Sequence, residues 1–190
     1  MKTIKNLSAA ITGLLLILIG SMIPSSIVVP GKYLAFKLYE LPSSWQVPAL
    51  ILTGLVCGPT QGSIATVAYL TLGLFYLPVF HGGGSIGYLA TPDFGYLAGF
   101  IPAVWVTGRI SMTKKKNSLN QLFKACLCGL TIIHLVGIIN LLIGTLFSRW
   151  PESLLELFLR NSLAIFPIQI ILCTGVVIFA KYIRKLLLIG

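Results

Sequence analysis

The sequence predicts an all-α integral membrane protein, a single domain built as a six-transmembrane-helix bundle. Three observations carry this: a mean hydropathy of +0.95, a charged fraction of 9% in 190 residues, and long windows without Asp, Glu, Lys or Arg. An average soluble domain carries roughly a quarter charged residues. A bilayer core takes about 20 apolar residues per helix, so the chain has room for its spans and none for a water-soluble catalytic or ATPase domain.

The uncharged windows run over 6–31, 41–92, 94–108, 125–148 and 161–180. The first follows Lys2 and Lys5 and lacks a small-residue cleavage site before Pro24, so it reads as a retained span and not as a signal peptide. The second window is too long for one helix. It divides at Gly58-Pro59, where the Gly supplies a turn and Pro disfavours helix in the residue before it. Spans are therefore expected near 7–23, 44–57, 61–77, 94–111, 119–147 and 161–185.

An even count places both termini on one side. Of the 14 Lys and Arg residues, ten then share that side: Lys2, Lys5, Arg109, Lys114, Lys115, Lys116, Lys124, Lys181, Arg184 and Lys185. Only Lys32, Lys37, Arg149 and Arg160 lie opposite. The positive-inside rule makes the richer side cytoplasmic. The same distribution accounts for the net charge of +10 without nucleic acid, since no basic stripe interleaves with aromatics.

Two outer connections are long. The first, from about Pro24 to Ser43, reads as a Pro- and Gly-punctuated loop. The second, Pro78 to Pro92, passes His81, Gly82, Gly83, Gly84 and Gly87, and is apolar enough to fold back over the outer mouth as a cap or pocket floor. Gly82-Gly83-Gly84-Ser85 lacks the Lys that completes a phosphate-binding loop. The glycines are either backbone freedom or a place where backbone approaches a ligand, with Phe80 and Tyr88 beside it to stack on a flat ligand or to sit in the interfacial belt.

Polar groups inside the slab mark where a ligand site is expected. Gln46, Gln61, Tyr69, Asn140 and Gln169 are neutral, and the lack of a deep acid argues against ion coupling. No metal site is expected: Cys57, Cys126, Cys128 and Cys173 have no ligand spacing, and His81 and His134 lack neighbouring carboxylates. No nucleophile, base and orienting group assemble either, so the chain is not read as an enzyme. Ala9 and Gly13, and beside them Ser8 and Thr12, form small-xxx-small pairs on the first span. Such pairs serve either internal packing or docking to another membrane subunit.

Residues 46–108 carry a pattern that resembles the BioY family, the biotin-specific S components of energy-coupling factor transporters. The pieces are Gln46, Pro48, Gly58-Pro59, Gly62, Tyr69-Leu70, Leu72-Gly73, Leu77-Pro78-Val79-Phe80, Gly83-Gly84, and Pro92 with Gly95-Tyr96-Leu97 and Gly99-Phe100. The resemblance implies a bundle in the plasma membrane of a prokaryote, with biotin as its transported ligand and no cofactor. It also implies an energy-coupling transmembrane subunit and two ATPase subunits as partners on separate chains. The ligand residues it implies are Gln46, Tyr69, Phe80, Gly83, Gly84, Tyr96 and Gln169, with Ala9 and Gly13 docking the coupling subunit. In the last span Gln169 stands where the family carries an Asp, and Leu172 where it carries a Lys. A ligand carboxylate then needs Arg160, Lys32 or Lys37 to reach the pocket, or stays at its wet mouth. A member with another ligand, or a non-transporting assembly partner, stays open on these residues.

Overall fold

The computed structural model describes residues 2–30, 36–80, 83–113 and 118–187. Helix α1 (Lys2–Met22) leads into two antiparallel strands, β1 (Pro24–Pro30) and β2 (Phe36–Ser44). Ile27 stands opposite Tyr39 and Val29 opposite Lys37, with an irregularity between Pro24 and Ser26. This corrects the loop expected over 24–43 and adds a two-stranded sheet to the all-α reading. The β-branched run Ile27-Val28-Val29 favours extended backbone; Pro24 and Pro30 sit at the ends of β1, and Pro42 lies within β2 opposite the irregularity, a position that strand prolines favour.

Helix α2 (Gln46–Phe75) is interrupted at Gly58, whose φ of 81° and ψ of −179° are non-helical. There the chain folds back on itself. Gln46 and Tyr69 would be about 34 Å apart along a straight helix, yet their side chains are hydrogen-bonded at 2.7 Å. The positive φ suits glycine alone, and Pro59 opens the second arm, where a missing N–H costs nothing. A 3-10 turn (Ile86–Ala90) precedes α3 (Phe94–Ala98) and α4 (Phe100–Ser111). The span expected over 94–111 is thus divided at Gly99. Pro102 lacks an N–H and its ring conflicts with the carbonyl four residues back, on Ala98, the last residue of α3.

Helix α5 (Leu119–Leu146) is capped by Ser118, whose side chain accepts from the Gln121 amide. Helix α6 (Leu154–Phe158) opens with a Ser153/Glu156 capping box. A π turn (Leu159–Leu163) joins it to α7 (Ile165–Leu186), so the last helical stretch begins before the expected 161. Among the described residues, four stretches are long and apolar enough to cross a membrane: Lys2–Met22, Gln46–Phe75, Leu119–Leu146 and Leu154–Leu186.

On α1, Ala10, Gly13, Ile17 and Gly20 are buried, while Ile4, Leu7, Ile11, Leu15 and Ile19 face outward. Gly13 lies in the face that packs on α2: a Cβ there would come within 2.6 Å of Thr53 and 3.0 Å of Ala65. Gly13 therefore serves internal packing, and the partner-docking expectation loses half of its pair. Ala9 is half-buried beside it.

One end of the bundle is closed by side chains that hold helix C-termini. Arg184 is buried and donates to the carbonyls of Leu55 at 2.5 Å and Ser111 at 3.0 Å. Gln121 donates to the Ile110 carbonyl at 2.8 Å, fastening the start of α5 to the end of α4. Gly108 rests on the backbone of Gly58 and Pro59, where a Cβ has no room. The Lys114–Lys116 run lies outside the described residues, as do Lys32, His81 and Gly82.

Candidate ligand-binding site

The opposite end holds a cavity of about 400 Å³, within the range of small-molecule sites. Its wall comes from the end of β2 (Ser43, Ser44), the start of α2 (Gln46, Val47), the second outer connection (Tyr88, Asp93), α3 and α4 (Tyr96, Leu97, Phe100), the middle of α5 (Ile133, His134), and the π turn with α7 (Arg160, Asn161, Ile165, Gln169). Breaks in helix geometry converge here, which is where irregular backbone can face a cavity instead of lipid.

Each polar group on the wall is held by a second. Gln46 donates from Nε2 to the Tyr69 phenol at 2.7 Å, and Tyr69 donates to the Val79 carbonyl at 3.1 Å. A carbonyl only accepts, so the Tyr69 proton is committed to Val79 and its oxygen must accept from Gln46. The Gln46 amide is thereby fixed with Oε1 turned from Tyr69. On the far wall, His134 pairs through Nε2 with Gln169 Oε1 at 3.1 Å and through Nδ1 with Ser162 Oγ at 3.3 Å. Ser162 Oγ lies 2.6 Å from the Tyr96 hydroxyl. The imidazole is set edge-on to the rings of Tyr96 and Phe166, with centroids 5.6 and 4.8 Å away.

Charge is confined to the mouth. Asn161 donates to Asp93 at 2.7 Å and accepts from Arg160 Nε at 3.2 Å. The Arg160 side chain is 61% exposed and 3.9 Å from Glu152. Tyr88 is half-buried against Phe80, ring centroids 5.0 Å apart. Burial first, and then the Asp93 charge, push its phenol up, so at neutral pH it presents an intact O–H.

Of the seven expected ligand residues, Gln46, Tyr96 and Gln169 line the cavity together. The other four do not. Tyr69 is fully buried behind Gln46. Phe80 is buried between Tyr69 and Tyr88, 5.6 Å from the first ring. Gly83 and Gly84 form a turn in which Phe80 and Gly83 exchange backbone hydrogen bonds and Gly84 packs on the Gly73 and Leu77 carbonyls. Gly84 thus serves backbone approach, but to protein, while Gly83 supplies a φ of 132° with open space where a Cβ would stand. Arg160 does reach the cavity wall, while Leu172 does not line it.

Sequence reasoning missed the binding potential of His134, Asn161 and Ser162. His134 sits in an apolar stretch of α5 with no polar neighbour in sequence, and its partners lie 28 and 35 residues away. A signal did exist for Asn161 and Ser162, two adjacent polar residues at the start of an apolar span.

A membrane-embedded helical bundle with a pocket closed by polar side chains at one end and sealed at the other is the architecture of a substrate-binding membrane protein. The model of the BioY family matches residues 1–188 of the chain. A probable biotin transporter BioY of Lysinibacillus sphaericus is 30% identical over 145 residues, 74% of each chain. The biotin transporter BioY of Thermotoga maritima is 33% identical over 124 residues, covering 64% of this chain and 71% of that one. The crystal structure of the S component for biotin from an ECF-type ABC transporter superposes with a TM-score of 0.71 at 23% identity, over 97% of this chain and 93% of that one. The chain belongs to the BioY family.

Proposed function

We propose that the protein is the membrane-embedded substrate-binding subunit of an energy-coupling factor transporter and that its ligand is biotin. The family match over residues 1–188 carries the reading, and the cavity supports it. Biotin pairs a cyclic urea, with one acceptor and two donors, with a carboxylate on an apolar tail. Gln46, Tyr96 and Gln169 offer neutral hydrogen bonds inside the cavity, and Leu97, Phe100, Ile133 and Ile165 offer apolar wall. A carboxylate without a cation is costly to bury. Arg160, at the wet rim, takes the place of the Lys that Leu172 replaces.

In this reading six spans cross the plasma membrane, the two arms of α2 counting separately, with both termini and the Arg184 end cytoplasmic and the cavity facing outward. Energy comes from a coupling membrane subunit and two ATPases on other chains. Labelled biotin uptake tests this in bacterial cells that lack a biotin transporter. Uptake is expected only when the chain is expressed with such a coupling module, and the tagged chain should co-purify with all three subunits. A chain that co-purifies only with unrelated membrane proteins, and confers no uptake, would sink the assignment.

A further inference from the structure

Tyr96, Ser162, His134 and Gln169 form one continuous hydrogen-bonded chain along the cavity wall, and its direction follows from its end. Gln169 turns Oε1 to the imidazole, so Nε2 of His134 carries the proton. Nδ1 is then bare and takes the Ser162 proton, which leaves Ser162 to accept from Tyr96. The Gln169 Nε2 group has no partner among the described residues and belongs to a side chain that lines the cavity. If the imidazole held its proton on Nδ1, each bond would reverse and Gln169 would have to show its oxygen to the ligand instead.

We propose that His134 is a positioning residue for ligand selection: its Nε2–H holds the Gln169 carboxamide with the NH₂ turned to the cavity, so that the site selects a ligand with a carbonyl acceptor there over one with a donor. The inference rests on the biotin reading, in which that acceptor is the urea oxygen. Gln46, fixed through Tyr69 and Val79 with its oxygen free of that network, supplies the complementary acceptor for a urea N–H.

The test compares biotin with 2-iminobiotin, which carries a donor where biotin has its carbonyl oxygen, on the full purified chain. The unaltered chain should prefer biotin by roughly 100-fold or more, because a buried donor facing a donor is left unpaired. His134→Leu frees the Gln169 amide to turn over and should cut that preference by about tenfold or more. His134→Gln, whose amide NH₂ can still donate to Gln169, should restore it. The preference for biotin over its methyl ester, read at the other end of the ligand, should not move in either variant. An unchanged biotin to iminobiotin ratio in His134→Leu overturns the proposal. Nitrogen NMR of histidine-labelled protein supplies a second readout, the His134 signal being the one absent from His134→Gln. A bare Nδ1 supports the relay, and a bare Nε2 overturns it. If the chain binds neither compound, the biotin reading fails while the tautomer measurement still judges the relay.

Discussion

The two ends of the bundle solve opposite problems with different chemistry. At the Arg184 end, helices finish against one another and are fastened there: Gly108 on Pro59, a buried guanidinium on the ends of two helical segments, and Gln121 on one of the same two, the end of α4. At the cavity end α5 runs through unbroken, but the other elements that meet there are short or interrupted. A strand pair, a 3-10 turn and a π turn stand there in place of regular helix, and the room beside them is lined with neutral hydrogen-bonding groups whose second partners lie in the protein. Neutral amides and hydroxyls can be buried in a membrane at modest cost once paired, whereas an isolated charge cannot. This is why Arg160 and Asp93 stay at the rim while His134, Ser162 and Gln169 go deep.

Substitutions that act on one end and spare the other would sharpen this contrast. The largest effect is expected from Gly108→Ala, since the new methyl meets main chain and cannot be relieved by a rotamer change. It should cost about 3 kcal/mol and show as lost monodisperse yield in detergent. Arg184→Met should lower stability by roughly 2–3 kcal/mol, because two buried carbonyls lose a charged donor. Thermal unfolding would report the loss, while ligand affinity in the surviving folded fraction stays within about twofold. At the other end, Gln169→Leu should weaken biotin binding roughly 30-fold, about 2 kcal/mol, and lower the unfolding temperature by less than Arg184→Met does, since a single buried N–H, on His134, loses its partner. Arg160→Ala should weaken it by about fivefold, the smallest effect, because the guanidinium is exposed and screened. A large affinity loss in Arg184→Met with stability intact would break the separation of roles.

Much of the closed end was legible in the sequence, because it is made of local signals. Gly58-Pro59 marks its own turn, and the cations at helix ends mark its side. The cavity was legible only in outline. Gln46 and Gln169 stood out as polar groups in apolar spans and Tyr96 through the family pattern, but Tyr69 carries the first signal and Phe80 the second, and both are turned into the packing behind the wall. Whether a polar residue lines a pocket or supports one that does depends on which helix crosses it, and no spacing encodes that. The relay through His134 is the extreme case, its members coming from α3, α5, the π turn and α7. Gly13 misleads for a related reason. A small residue that lets another subunit approach looks the same as one that lets α2 approach, and here Thr53 and Ala65 fill the space. The strand pair was hidden by its own prolines, which read as loop punctuation although they sit at the ends of β1 and within β2.

The central claim is that this chain alone contains a complete biotin site at its cavity end. Titration calorimetry of biotin into the purified protein, without coupling or ATPase subunits, tests it most directly. The account predicts saturable one-to-one binding, with a parallel change in Trp45 fluorescence because that residue adjoins Gln46. No heat and no fluorescence change at micromolar biotin, from protein shown to be folded by its thermal transition, would contradict it.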